Sequence, residues 1–271
     1  MPKRYLALIF GVVAIYLSVI AIGIRLHKLI IFQPRTRSLR HYGMWHRPSI
    51  DAISDPKQRD SVHKGELLFD ETPIAGARYT HAKIACASCH AEGGIQPFAS
   101  PVVGIPTLFP MYSQRAGHNI TLKDRIEECF VRSENGRPLG YSSPDMNAIV
   151  DYIMWLSEPQ PDSRPYLGRG LVSLPDLKPD PVHGAKIYSA QCAGCHGDSG
   201  EGNPYLFPPL WGDGSFNDGA GMYSIRKMAS FVQHNMPQNR MGILTPQEAY
   251  DVSAFIHEQP RPKFNKAYDG F

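Results

Sequence analysis

Cysteine is scarce in this 271-residue chain. Of its five cysteines, four sit in two short strings, Cys86-Ala-Ser-Cys89-His90 and Cys192-Ala-Gly-Cys195-His196. Cys129 is left with no partner outside those strings. Acidic residues are missing from the first 40 positions, which hold seven Lys/Arg, and no charged residue lies between Tyr5 and Ile24. The remainder carries 21 basic and 25 acidic residues, a formal −4. The overall pI of 8.5 therefore belongs to the N-terminal region and not to the globular part. That balance gives no electrostatic footprint for nucleic acid.

What is present is Cys-x-x-Cys-His, twice. The spacing is the attachment signature of c-type haem. Both thiols add to the porphyrin vinyl groups, and the adjacent His90 or His196 supplies one axial nitrogen. A four-thiolate zinc site, a redox Cys-x-x-Cys pair and a structural disulfide are the rival readings. None of them needs a His at the same offset in both copies. Two covalently bound haem c groups are therefore expected, on Cys86 and Cys89 and on Cys192 and Cys195.

The motifs mark a repeat. Ser61-Val-His-Lys-Gly-Glu-Leu-Leu-Phe69 precedes the first motif and Val182-His-Gly-Ala-Lys-Ile-Tyr188 the second. Each half closes with a strongly capped helix: Ser143-Pro144-Asp145 opens one, and the capping box Thr245-Pro-Gln-Glu248 opens the other. Gly and Pro together number 48, so loops are abundant. The expected architecture is all-α, with two tandem class I cytochrome c domains after an N-terminal transmembrane helix. Residues 1–32 read as a membrane anchor or signal segment and 33–55 as a tether or a strap. Residues 56–160 read as the first domain, 161–180 as a Pro-rich linker and 181–262 as the second domain.

Twenty uncharged helical residues from Tyr5 to Ile24 span roughly 30 Å, the thickness of bilayer hydrocarbon. A cleaved signal peptide is the alternative to an inner-membrane anchor. The basic residues after this run favour a cytoplasmic C-terminal side. Haem attachment to Cys-x-x-Cys-His is periplasmic, however, and long domains cross largely regardless of flanking charge. A periplasmic location is expected.

The second axial ligand sets much of a haem's behaviour. In the second half, Asn235-Met236-Pro237 precedes the last helix, the place of a thioether ligand. Met222, Met228, Met241 and His234 are the alternatives to Met236. The first half has no Met-Pro there and offers Cys129 instead. Thr121-Leu-Lys-Asp124 caps a helix on which Leu122, Ile126, Cys129 and Ser133 share a face, and Asn135-Gly136 ends it in a left-handed turn. Arg125 and Arg132 flank the same face, which is expected to lower the thiol pKa, while Asp124, Glu127 and Glu128 point elsewhere. A solvated flank of an ordinary helix gives the same pattern.

The segment Arg125-Ile-Glu-Glu-Cys129-Phe-Val-Arg132-Ser133-Glu-Asn135-Gly136 resembles a motif of dihaem thiosulfate dehydrogenases. So do Phe109-Pro-Met-Tyr-Ser-Gln-Arg115, Pro208-Pro-Leu-Trp-Gly212, Ser215-Phe-Asn-Asp-Gly-Ala-Gly-Met222 and Asn235-Met236-Pro237. The resemblance covers roughly residues 60–258. It implies that two thiosulfates are joined into tetrathionate, or the reverse, with a small c-type cytochrome as electron partner. It also implies a catalytic haem between His90 and Cys129, a substrate site drawn from Arg115, Arg125, Arg132, Ser133 and Gln96, and an electron-transfer haem between His196 and Met236. Some relatives have a competing Lys before this Met, where Asn235 stands here. A membrane-tethered dihaem carrier without its own substrate is the rival function. A dihaem peroxidase is a third, with no sequence feature that singles out an open distal site.

Overall fold

The computed structural model describes Trp45, residues 47–158, 168–203 and 206–270. The expected anchor at Tyr5–Ile24, residues 159–160 of the first domain and 161–167 of the linker lie outside them. Among the described residues no helix is long and apolar enough to cross a membrane.

Among the described residues ten α-helices follow in order: α1 (Pro56–Asp70), α2 (Thr72–Ala75), α3 (Cys86–Cys89), α4 (Ala91–Gly94), α5 (Leu122–Arg132), α6 (Pro144–Leu156), α7 (Pro181–Gln191), α8 (Ala193–His196), α9 (Ile225–Asn235) and α10 (Pro246–Glu258). The start signals act as their chemistry dictates. Asp55 accepts from the Lys57 amide, Ser143 from Met146, and Thr121 and Thr245 form capping boxes with Asp124 and Glu248. The fold is mostly helical and not all-α. Strands β1 (Met111–Ser113) and β2 (His118–Ile120) pair antiparallel, Met111 opposite Ile120, around a turn that uses Gly117 at φ 74°. Residues 47–55 lie on the first repeat, where Arg47 pairs with Glu66 at 2.5 Å and Asp70 at 3.3 Å.

In each repeat the first helix packs across the last, α1 on α6 and α7 on α10. Both crossings depend on a glycine. A Cβ at Gly65 would overlap the Ala148 carbonyl, and one at Gly184 would overlap that of Asp251. Around the first crossing, Val62, Phe69, Phe130, Met146, Ile149, Tyr152, Trp155 and Leu156 form a buried core. Around the second, Tyr188, Trp211, Phe216, Ala229, Val252 and Ile256 do the same, joined by Ala82 and Ile84 from the first repeat. Residues 45–271 cluster as one compact unit, so the repeats share an interface. The Lys83 amide donates to the Gly214 carbonyl across it at 2.7 Å.

Asp145, buried in the first turn of α6, receives Lys64 at 2.6 Å, Tyr79 Oη at 2.8 Å and Arg78. Burial pushes its carboxyl up, but these three bonds outweigh it and hold the pKa at about 2.

Two outcomes follow. Gly65→Ala and Gly184→Ala each lose about 1–3 kcal/mol of unfolding free energy in denaturant titrations, because overlap at the crossing exceeds the gain in helix propensity. Asp145→Asn loses about 1–2 kcal/mol at neutral pH, discounted because Lys64 and Arg78 are largely exposed. The Asp145 pKa is lower in the folded state, so this contribution is complete above about pH 4 and disappears as pH falls toward 2. Acid titrations of both proteins should converge there.

Candidate functional site

Helix α3 is a single turn held at its start by two hydroxyls. Thr72 Oγ1 accepts from the Cys86 amide at 3.1 Å, and Ser88 Oγ accepts from the Ala85 amide at 3.1 Å. Cys86 and Cys89 project from it. His90 follows with Nδ1 at 2.5 Å from the Ser100 carbonyl oxygen. A carbonyl only accepts, so Nδ1 carries the proton and Nε2 keeps its lone pair. Burial lowers the His90 pKa and favours the neutral ring that a metal requires.

These groups open onto a cavity of about 360 Å³. Phe69, Ile84, Val102, Ile105, Leu108, Ile126, Phe130, Ile149 and Ile153 make most of its wall. Helix α5 and its C-cap Ser133 add the expected face of Leu122, Ile126, Cys129 and Ser133, together with Arg125 and Phe130. His90, Cys86, Cys89 and Cys129 thus share one apolar chamber. A porphyrin needs an apolar enclosure, two thiols at Cys-x-x-Cys spacing and axial donors, and the chamber offers each of them. The residues fit a covalently bound haem c.

The acid–base state of Cys129 differs from the sequence expectation. Burial pushes its thiol up to about 11; Arg125 and Arg115 pull down, while Glu128 and Glu134 add to the rise. The arginines alone do not make a thiolate. Coordination to a metal does, because a ligating thiol is deprotonated outright. Glu128 does not point elsewhere: it is buried and pairs with Arg125 at 2.5 Å. Glu127 turns away and accepts from the Leu139 and Gly140 amides at 2.7 and 2.9 Å. At the end of α5, Asn135 takes the left-handed conformation with φ 45°, and Gly136 donates to the Phe130 carbonyl at 2.9 Å.

The remaining predicted site residues sit elsewhere. Arg115 lies exposed in the β1–β2 turn and acts on Cys129 only through its charge. Arg132 is 6% exposed and stacks over the Phe264 ring, 3.9 Å from its centroid. Gln96 donates to Asn235 Oδ1 at 2.8 Å, at the interface between repeats. The sequence reading also missed two cavity residues. Glu134 is buried at the wall beside Cys86 Sγ, with its carboxyl pushed well above the usual range by desolvation. Arg169 reaches the cavity from the linker between Gly168 (φ 103°) and Gly170 (φ 76°). The Gly-Arg-Gly pattern was the available signal: Gly168, without a side chain, lets the linker lie close against Pro97 and Phe98, and both glycines take positive φ.

The second motif has matching parts. His196 is buried and its Nδ1 donates to the Pro208 carbonyl at 2.9 Å, again leaving Nε2 free to ligate. Burial lowers its pKa too. Cys195 is exposed. Met236, directly after α9, packs half-buried against the second core and against a small cluster of Ala91, Ala99 and Phe231 between the repeats.

The second repeat also finishes α5. Asn217 Nδ2 donates to the Val131 carbonyl at 2.9 Å, and the Asn217 amide donates to the Arg132 carbonyl at 3.2 Å. Carbonyls in the last turn of a helix have no partner within it, and here the other half of the chain provides one.

Comparison with known proteins agrees with this layout. The cytochrome c family matches residues 181–260, and the SoxA/TsdA cytochrome c domain family matches residues 76–161. A thiosulfate dehydrogenase of Allochromatium vinosum is 38% identical over 229 residues, 81% of this chain and 85% of that protein. One from Psychrobacter arcticus is 37% identical, covering 82% and 70%. The solved thiosulfate dehydrogenase (TsdBA) of Marichromatium purpuratum aligns with a TM-score of 0.75 at 32% identity. That alignment covers 83% of this chain and 51% of the other, so the chain spans about half the length of that protein.

The cap on α5 can be checked directly. Asn217→Ala strands the Val131 carbonyl and should cost about 1–3 kcal/mol in denaturant unfolding of the holoprotein.

Proposed function

This chain belongs to the thiosulfate dehydrogenase family, an oxidoreductase acting on thiosulfate with two covalently bound c-type haems, and from that premise we propose how its residues divide the work. Two thiosulfates become one tetrathionate with release of two electrons, or the reverse. Bound at the two motifs, the haems supply two one-electron acceptors. His90 and, in the resting state, Cys129 would hold the first, and His196 and Met236 would hold the second.

Thiosulfate is a dianion, and two must approach each other. Arg125 and Ser133, on the same wall as Cys129, bind sulfonate oxygens, and Arg115 adds positive charge at the rim. A guanidinium suits this because its donors are fixed in a fork and its charge persists at any working pH. Cys129, as thiolate, bonds to the outer sulfur of one thiosulfate to give a Cys–S–S–SO₃⁻ adduct, and two electrons leave. The outer sulfur of the second thiosulfate attacks that same sulfur, forms the central bond of tetrathionate and releases the Cys129 thiolate. Atoms and charge balance over the two steps, and run backwards they cleave tetrathionate.

The single observation that carries this reading is the placement of Cys129 on one apolar chamber with His90, Arg125 and Ser133. The protein works in the periplasm, held to the inner membrane through Tyr5–Ile24, and exchanges electrons with a small c-type cytochrome. Those assignments rest on the haem motifs, the uncharged N-terminal run and the family.

Cys129→Gly should retain both haems and lose tetrathionate formation by at least about a hundredfold, the scale of removing a covalent nucleophile. Its low-temperature EPR spectrum should also lack the thiolate-bound low-spin signal. Near-normal turnover in a fully haem-loaded variant would exclude the adduct.

A further inference from the structure

Asn235 is the last residue of α9, stands directly before Met236 and is 2% exposed. Its side chain is tied in three directions. Nδ2 donates to the Phe231 carbonyl of its own helix at 3.0 Å and to the Phe98 carbonyl of the first repeat at 3.1 Å. Oδ1 accepts from Gln96 Nε2 at 2.8 Å. Both of its N–H groups are spent and a lone pair is taken, so the amide has one orientation that satisfies all three bonds.

The loop it holds, residues 96–100, also fixes the other end of the system. The Ser100 carbonyl of that loop receives His90 Nδ1 at 2.5 Å. From the linker, the Gly168 and Gly170 carbonyls accept from the Phe98 and Ser100 amides at 2.7 and 3.1 Å. Phe98 and Ser100 both adopt left-handed backbone, with φ 63° and 48°. Residues with a Cβ stay in that region when their surroundings hold them there. Ala91 and Ala99 pack with Phe231, Met222 and Met236 around the same junction. One short loop therefore touches the orienting bond of one iron ligand and the residue adjoining another.

We propose that Gln96 is a positioning residue for the second haem: acting through Asn235, it holds the backbone that presents Met236, so the loop after His90 sets the environment of both irons. A thioether is a weak, neutral ligand, and its hold depends on where the chain places it. Loosening its anchor weakens the bond and lowers the potential that Met ligation confers. The inference rests on Met236 as ligand, and it gives Gln96 a role different from substrate contact.

The test uses the full dihaem protein and reads the near-infrared methionine-to-ferric-haem band and the potential of each haem by spectroelectrochemical titration. Wild type should show the band. Gln96→Leu keeps the bulk and removes the donor; it should weaken the band and lower the potential of the second haem, with both haems still attached. Asn235→Ala should do at least as much, and the double variant no more than Asn235→Ala alone, because the first residue acts through the second. An unchanged band and potential in Gln96→Leu overturns the proposal, as do additive shifts in the double variant. A raised KM for thiosulfate with an unchanged second potential does so as well, and assigns Gln96 to substrate. Absence of the band from wild type defeats the Met236 assignment itself, whereas a band present and indifferent to Gln96 defeats only the coupling.

Discussion

Asn217 of the second repeat caps the last turn of α5, the helix that brings Cys129 to the first chamber. The two halves of the chain are therefore not separate beads that exchange electrons at a distance. The helix ends in a buried setting, where water cannot satisfy its carbonyls, and an unpaired carbonyl there costs free energy. Docking of the second repeat removes that cost, and with it come Lys83 on Gly214, Ala82 and Ile84 in the second core, and the loop 96–100 against Asn235. The position of the Cys129 sulfur is a property of the whole compact unit.

The electrostatics of the first chamber follow from the same burial. Glu127, Glu128 and Glu134 are all almost fully enclosed, yet each is handled differently. Glu127 is bound by two amides, Glu128 by Arg125, and the Glu134 carboxyl is pushed well above the usual range because desolvation dominates. Arg125 thus pairs with a buried carboxylate while also lining the chamber of Cys129. A guanidinium has donors beyond such a pair, because five of them spread over a planar fork.

Much of this could be read from the residues in order. The haem motifs, the caps at Ser143, Thr121 and Thr245, and the face carrying Cys129 and Ser133 are local patterns with a local cause, and the structure places them as spacing predicts. Charge neighbours were harder. Counting along α5 paired Arg125 with Cys129 correctly, but gave no warning that Glu128 would be buried beside it or that desolvation would outweigh both arginines. Gln96 on Asn235 and Arg132 on Phe264 join segments more than a hundred residues apart. No periodicity encodes such meetings, which depend on how the two repeats dock. The β1–β2 hairpin escaped notice because three-residue strands carry no alternation long enough to read.

The segment beyond α10 has a practical bearing. Arg261 lies over Phe216, the Phe264 amide donates to Asp218 at 2.7 Å, and the Phe264 ring covers the Arg132 guanidinium. During synthesis α5 leaves the ribosome long before Phe264 does, so the nascent first repeat exists for a time with Arg132 uncovered. A recombinant fragment trimmed to the second cytochrome c match, which ends at residue 260, keeps both haem motifs, Cys129 and Met236 and discards this cover.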